Sequence, residues 1–259
     1  MSRFIIEHVP ANPTIEYANS VVVPVGTTEI ISRGGGSTID VGKWVAKRYD
    51  LKHTAIPTTG GTGSEATKYV VLTVDGKKKT FIDERYIPDS SILDPNLLVT
   101  LPREHTIGSG LDALSQSLEV IWSTKANLES ISYATAAMEL VIKSLYKCVK
   151  DPEDTKARMD MLIAANLSGR AINITPTNVC HAVSYPLTDI YGIPHGIACG
   201  MSLSYFAEKA GFEIKSFVKP LLPQYKFSRK KIAKEAINNP KLLDYPYEVT
   251  EMDIMRALT

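Results

Sequence analysis

Four side chains that could share one divalent ion stand in two short stretches of this sequence. His181 and His195, fourteen positions apart, bracket the segment CHAVSYPLTDIYGIPHG. Asp112 and Gln116 lie four apart in GLDALSQSLE, a spacing that puts both on one face of a helix. Imidazole is the commonest metal ligand among side chains. Two nitrogens with two oxygens suit a borderline ion such as Fe(II), Zn(II), Ni(II) or Co(II) better than Ca(II) or Mg(II). Held with an open position, such an ion polarises a carbonyl as a Lewis acid. Glu119, three residues beyond Gln116, is a competing carboxylate. Two histidines on an apolar helix can also be packed, hydrogen-bonded core residues, so the weight of the metal reading rests on what lies upstream.

Two glycine-rich loops lie there. Glu29-Ile30-Ile31 reads as a strand running into Gly34-Gly35-Gly36-Ser37-Thr38, followed by apolar residues at helical spacing to Tyr49. Strand, glycine turn and helix together can bind phosphate, because glycine lets the backbone approach and the helix start offers free N–H groups. A second strand, His53 to Ile56, leads into Pro57-Thr58-Thr59-Gly60-Gly61-Thr62-Gly63-Ser64-Glu65, small and hydroxyl-rich enough to wrap a ligand closely. Either loop could instead be a plain turn. Further strands are expected at Phe4–Val9, Val21–Val23 and Ser91–Leu93, with a hairpin of Tyr69–Val74 and Lys77–Ile82 about Asp75-Gly76. From about Thr100 helical patterns take over, at Leu111–Trp122, Leu128–Val149, Asp154–Ile172 and His181–Tyr191, then a proline-punctuated tail and a last helix at Glu251–Ala257. The expected organisation is an α/β unit over residues 1–99 and a helical, metal-binding unit over residues 100–259.

Composition narrows the partners. A formal net charge of +1 supplies no field to recruit nucleic acid or an anionic membrane. The basic runs Lys77-Lys78-Lys79 and Arg229-Lys230-Lys231 are short enough to be solvated surface. Cys148, Cys180 and Cys199 have no paired spacing and are odd in number, which argues against a disulfide framework and for a cytoplasmic protein. No apolar run reaches membrane-spanning length.

The motifs GGGSTID, PTTGGTGSEAT, LDALSQSLE and CHAVSYPLTDIYGIPHG, in this order, resemble the iron-containing (group III) alcohol dehydrogenase family from about Asn12 to about Ser204. The resemblance implies a Rossmann-like dinucleotide-binding α/β domain followed by an all-helical domain, with NAD or NADP and a divalent metal between them. It implies hydride transfer between the nicotinamide and a small aldehyde or alcohol. Residue by residue, Gly35, Gly36 and Ser37 match the pyrophosphate loop and Asp40 its acidic neighbour, while Thr58, Thr59 and Thr62 match a second cofactor-contacting loop. Asp112, His181 and His195 match three of the four metal ligands, and His195 is also taken as catalytic. Gln116 stands where the fourth ligand is usually histidine. Tyr185 replaces a histidine that many members carry near the substrate, and is a candidate for a proton relay. Thr80, with Lys79 before it, stands where the family often has a lysine ahead of the hairpin aromatic.

The pairing of DALSQSLE with HAVSYPLT resembles phosphonoacetaldehyde reductases, whose product is 2-hydroxyethylphosphonate. A phosphonate needs cations or N–H groups. Lys68, Arg103 and Arg170 are candidates, each with plain surface charge as the alternative. Family members carry a further strand–helix–strand unit ahead of the segment matching Phe4, so a shortened dinucleotide domain is expected. The readings are an NAD(P)H-dependent, metal-assisted aldehyde reductase, a truncated and catalytically impaired remnant, or a dehydroquinate-synthase-like lyase. A homodimer is a common arrangement in the family.

Overall fold

The computed structural model describes residues 2–259. Strands β1 (Ser2–Ile6), β2 (Thr27–Gly34), β3 (Lys52–Pro57) and the two-residue β6 (Ser90–Ser91) form one parallel sheet in the order β1-β2-β3-β6. Helix α1 (Ile15–Ser20) connects β1 to β2, and α2 (Gly36–Tyr49) connects β2 to β3. Parallel strands need such crossovers. Strands β4 (Tyr69–Val74) and β5 (Lys77–Ile82) form a separate antiparallel hairpin, paired Tyr69 to Ile82 through Val74 to Lys77. Ile30, Val41, Val45, Val70 and Leu72 form the core between sheet, α2 and hairpin.

Helices make up most of the remainder: α3 (Arg103–Ile121), α4 (Leu128–Lys150), α5 (Thr155–Ile174), α6 (Val179–Tyr191), α7 (His195–Lys209), α8 (Lys215–Val218), α9 (Arg229–Ala236) and α10 (Glu251–Ala257). Side chains set their limits. Asn127 and Ser130 cap α4 reciprocally, and Thr250 and Asp253 do the same for α10. Helix α6 ends at Gly192, whose φ of 66° is the left-handed conformation that glycine adopts without strain. The chain turns there, passes Pro194 and starts α7 at His195. Leu111, Leu114, Leu118, Val183, Leu203 and Phe206 are fully buried in the core shared by α3, α6 and α7. Each such side chain contributes on the order of 1.5–3 kcal/mol.

The Rossmann-like parallel sheet and the helical remainder are as expected from the sequence, with local corrections. Val21–Val23 is not a strand: Pro24 follows it, Val22 is 76% exposed, and the run has no partner. β1 stops at Ile6 instead of reaching Val9, and the Ser91–Leu93 strand shrinks to Ser90–Ser91. The helix start that Pro102 and Glu104 suit is there, and from Arg103 it runs without a break into the segment expected at Leu111–Trp122, ending at Ile121. Helices α7, α8 and α9 were not legible beforehand. All three cysteines are free and buried. No helix among the described residues is long and apolar enough to cross a membrane.

Candidate metal centre and nucleotide loops

Helices α3, α6 and α7 converge on one point. Asp112 comes from the middle of α3, His181 from the first turn of α6, and His195 from the first residue of α7. α3 and α7 approach at backbone distance, since a Cβ on Gly196 would lie 1.9 Å from the Gly108 carbonyl oxygen. Glycine at 196 is what allows His195 to come down onto Asp112. Nε2 of His181 is 3.4 Å, and Nε2 of His195 3.9 Å, from Asp112 Oδ1. Cys199, one turn after His195, adds a fourth donor atom, its Sγ 3.8 Å from His195 Nε2. One donor atom from each of Asp112, His181, His195 and Cys199 lies within 4.8 Å of all the others. Asp112, His181 and Cys199 are buried.

Gln116 is not turned toward this point. Its Oε1 accepts a hydrogen bond from Ser168 Oγ at 2.8 Å, while its Nε2 faces Asp112 Oδ1 at 3.2 Å and Thr62 O at 3.4 Å. The amide therefore presents N–H groups, not its oxygen, to Asp112, while Cys199 adds its sulfur to the group of donor atoms. The i, i+4 spacing of His195 and Cys199 was the signal available in the sequence.

Glu119 holds the arrangement from behind instead of competing for the ion. Its Oε1 accepts backbone N–H groups of Asn178, Cys180 and His181 at 3.1, 2.6 and 3.1 Å, satisfying the free donors of α6's first turn. Its Oε2 pairs with Nδ1 of His181. That pairing fixes the ring so that Nε2 points at Asp112, the carboxylate–histidine relation common behind metal sites. Asn178 links Trp122 to the same turn, accepting from the indole at 2.8 Å and donating to Glu119 O at 2.7 Å. On the other imidazole, Ser184 Oγ lies 3.4 Å from His195 Nδ1 and donates to His181 O.

The charges are strongly coupled. Burial pushes the Asp112 carboxyl up, but the His181 hydrogen bond and both imidazolium charges hold it below its usual range. Burial also raises the Cys199 thiol, and the two histidines outweigh that and bring it down to about 7. Burial drives the Tyr185 phenol up to about 12. Tyr185 therefore stays protonated at neutral pH.

The two glycine loops meet each other. A Cβ on Gly35 would touch the Thr59 methyl at 3.4 Å, and one on Gly36 would overlap Thr62 at 2.9 Å. Gly35, Gly36, Ser37, Thr58, Thr59 and Thr62 are all half-buried, and no side chain caps the start of α2. Asp40 differs from its expected neighbours. It is buried, accepts from Ser64 Oγ at 2.5 Å and Val71 N at 2.8 Å, and lies 3.8 Å from the buried Lys43 ammonium. Its carboxylate ties α2 to the second loop and the hairpin. That loop also docks on α5, where Gly63 (φ 60°) and Gly169 pack backbone to backbone. Of the cations considered for a phosphonate, Lys68 pairs with Glu84 at 3.0 Å, Arg170 donates to Asn166, and Arg103 is exposed. Lys78 is half-buried on β5. Burial lowers its pKa against the opposing charges of Asp189, Cys199 and Asp112.

A Rossmann-like sheet with an uncapped glycine-rich helix start is thus followed by helices carrying an Asp–His–His–Cys cluster that could hold a metal ion. The descriptions "Iron-containing alcohol dehydrogenase" and "Fe-containing alcohol dehydrogenase family, C-terminal" match residues 2–95 and 106–254, and the chain belongs to this family. It is 41% identical over 151 residues to a phosphonoacetaldehyde reductase of Streptomyces viridochromogenes, covering 58% of this chain and 38% of that one. It is 32% identical over 220 residues to alcohol dehydrogenase 4 of Schizosaccharomyces pombe, covering 76% and 52%. The chain thus spans about half or less of the length of these curated relatives. The solved sulfoacetaldehyde reductase of Bifidobacterium kashiwanohense, in complex with NAD+, superposes with a TM-score of 0.86 at 28% identity, over 96% of this chain and 81% of that one. An iron-containing alcohol dehydrogenase of Thermotoga maritima superposes with a TM-score of 0.85 at 28% identity, over 98% and 81%.

Proposed function

We propose that this chain carries the catalytic centre of a metal-assisted, NAD(P)H-dependent reductase of small aldehydes, with residues 1–99 contributing to dinucleotide binding and residues 100–259 holding the metal. The convergence of Asp112, His181 and His195 on one point is the observation that carries this reading. The donor set fits a borderline divalent ion. Bonds of about 2.0–2.3 Å in a tetrahedron space their donors by roughly 3.3–3.7 Å; three of the six separations here are 3.4, 3.9 and 3.8 Å, and all six lie within 4.8 Å. When bound, the metal supplies a Lewis acid for the carbonyl oxygen and the nicotinamide a hydride.

The chain's own residues do the positioning. Gly35, Gly36 and Ser37 offer backbone N–H groups at the start of α2 to a pyrophosphate, and Thr58, Thr59 and Thr62 line the adjoining loop. Glu119 fixes the orientation of His181, and Ser184 accepts from His195 Nδ1, leaving both Nε2 lone pairs directed at the ion. Tyr185, whose phenol stays protonated at neutral pH, is assigned the donor end of a proton relay to the product alkoxide. NAD is the first cofactor to test, because the similar sulfoacetaldehyde reductase was solved with it. The 41% identity to a phosphonoacetaldehyde reductase makes phosphonoacetaldehyde the first substrate to test.

The test is the loss of NADH or NADPH absorbance on adding small aldehydes, phosphonoacetaldehyde included, to protein loaded with Fe(II), Zn(II), Ni(II) or Co(II). Turnover supports the reading, and no turnover with any of the four ions overturns it.

A further inference from the structure

Resting on the metal reading above, we infer that Cys199 is the fourth protein ligand of the centre, a thiolate that replaces the donor lost at position 116. Three observations support this. Cys199 is fully buried and lies on the same face of α7 as His195, one turn along, so one helix delivers both donors. Its Sγ belongs to the group of four donor atoms that lie within 4.8 Å of one another. Gln116, the alternative, is fixed the wrong way round. Its amide lies between two acceptors, Asp112 Oδ1 and Thr62 O, on one side and the Ser168 hydroxyl on the other. Flipping the amide would set its oxygen against the Thr62 carbonyl oxygen.

Donor chemistry points the same way: a thiolate is a far stronger ligand for a borderline divalent ion than a neutral amide oxygen. A coordinated thiol gives up its proton to the metal's field. The chemical consequence is selectivity: one sulfur, two imidazoles and one carboxylate favour Zn(II) or Co(II) and reject Mg(II) and Ca(II).

The test is optical. Chelator-stripped protein is reloaded with one equivalent of Co(II), and the near-ultraviolet thiolate-to-cobalt charge-transfer band is recorded. The expected result is a band in the wild type that disappears in Cys199→Ser and persists in Cys180→Ser and Gln116→Ala. X-ray absorption on the Zn(II)-loaded wild type adds a measurement that needs no variant to fold, with one sulfur scatterer expected at about 2.3 Å. Stoichiometric Co(II) without the band, a band that survives Cys199→Ser, or a zinc shell without sulfur overturns the role of Cys199 while leaving the metal reading intact. Failure to bind Co(II) overturns the role of Cys199, and failure to bind any of the four ions overturns both.

Discussion

Glu119→Gln exchanges one buried oxygen for nitrogen at nearly constant volume, and its cost can be worked from the contacts. The Gln carbonyl can keep the three backbone N–H bonds from Asn178, Cys180 and His181. They pass from a charged to a neutral acceptor, and bonds to charged groups are worth about 1.5–3 kcal/mol against about 0.5–1.5 for neutral ones. The other atom, now NH2, faces His181 Nδ1 and cannot accept its proton. Two outcomes remain. Nδ1 keeps its hydrogen against a second donor, leaving buried groups unsatisfied, or the proton moves to Nε2 and points at Asp112, 3.4 Å away, where the lone pair for the ion should be. Either way His181 loses the partner that orients it, and in the second case it loses the lone pair as well. Loss of such an orienting partner costs roughly 10–100-fold in metal affinity. We expect that fall in Zn(II) affinity, measured by competition with a chromophoric chelator. The metal-free protein should also lose about 2–4 kcal/mol of stability in urea, from the weakened bonds and the unsatisfied donor. Zinc affinity within twofold of wild type together with an unchanged urea midpoint would refute the claim that Glu119 orients His181 and caps α6.

Gly169→Ala should detach the second glycine loop from α5, because the new Cβ would lie 2.3 Å from the Gly63 carbonyl oxygen. A loss of about 1–3 kcal/mol in stability and weaker NADH binding by fluorescence titration are expected, and wild-type values in both would remove the docking argument. For His53, burial, with the Lys43 charge adding to it, drives the imidazole down to about 3, against about 6.5 when unfolded. The unfolded chain therefore holds the extra proton between these values, so the stability is fully present above pH 6.5 and drains as pH falls toward 3, by up to about 1.4 kcal/mol per pH unit. Urea midpoints from pH 7 to pH 4 should fall less steeply in His53→Gln, and equal slopes would exclude His53 as a source. Tyr185→Phe should lower kcat about 100-fold with metal content unchanged; full kcat would take the phenol out of the relay.

How far the site could be read from the sequence depended on whether each residue's partner lay on the same helix or elsewhere in the fold. Asp112, His181 and His195 were legible because their types are few and their motifs local. The segment between the histidines also announces a turn, and Gly192 makes it with a left-handed φ of 66°. Cys199 escaped notice as one of three unpaired cysteines, although its spacing from His195 was open to inspection. Glu119 was misjudged for a different reason. Its partners are backbone N–H groups some sixty residues later, at 178, 180 and 181, and no side-chain pattern shows where a distant helix begins. Val21–Val23 failed as a strand because β-branched residues favour an extended chain only where a neighbour is free to pair. Gln116 sharpens the distinction most. In sequence it is only a substituted ligand. In the fold its Nε2 reaches the Thr62 carbonyl of the second glycine loop while its Oε1 is held by Ser168 of α5. Histidine, with one ring nitrogen on an ion, could not satisfy both. Gln116 thus ties the loop at Thr62 to the helix carrying Asp112, and the proposed Cys199 ligand is the donor that compensates at the metal corner.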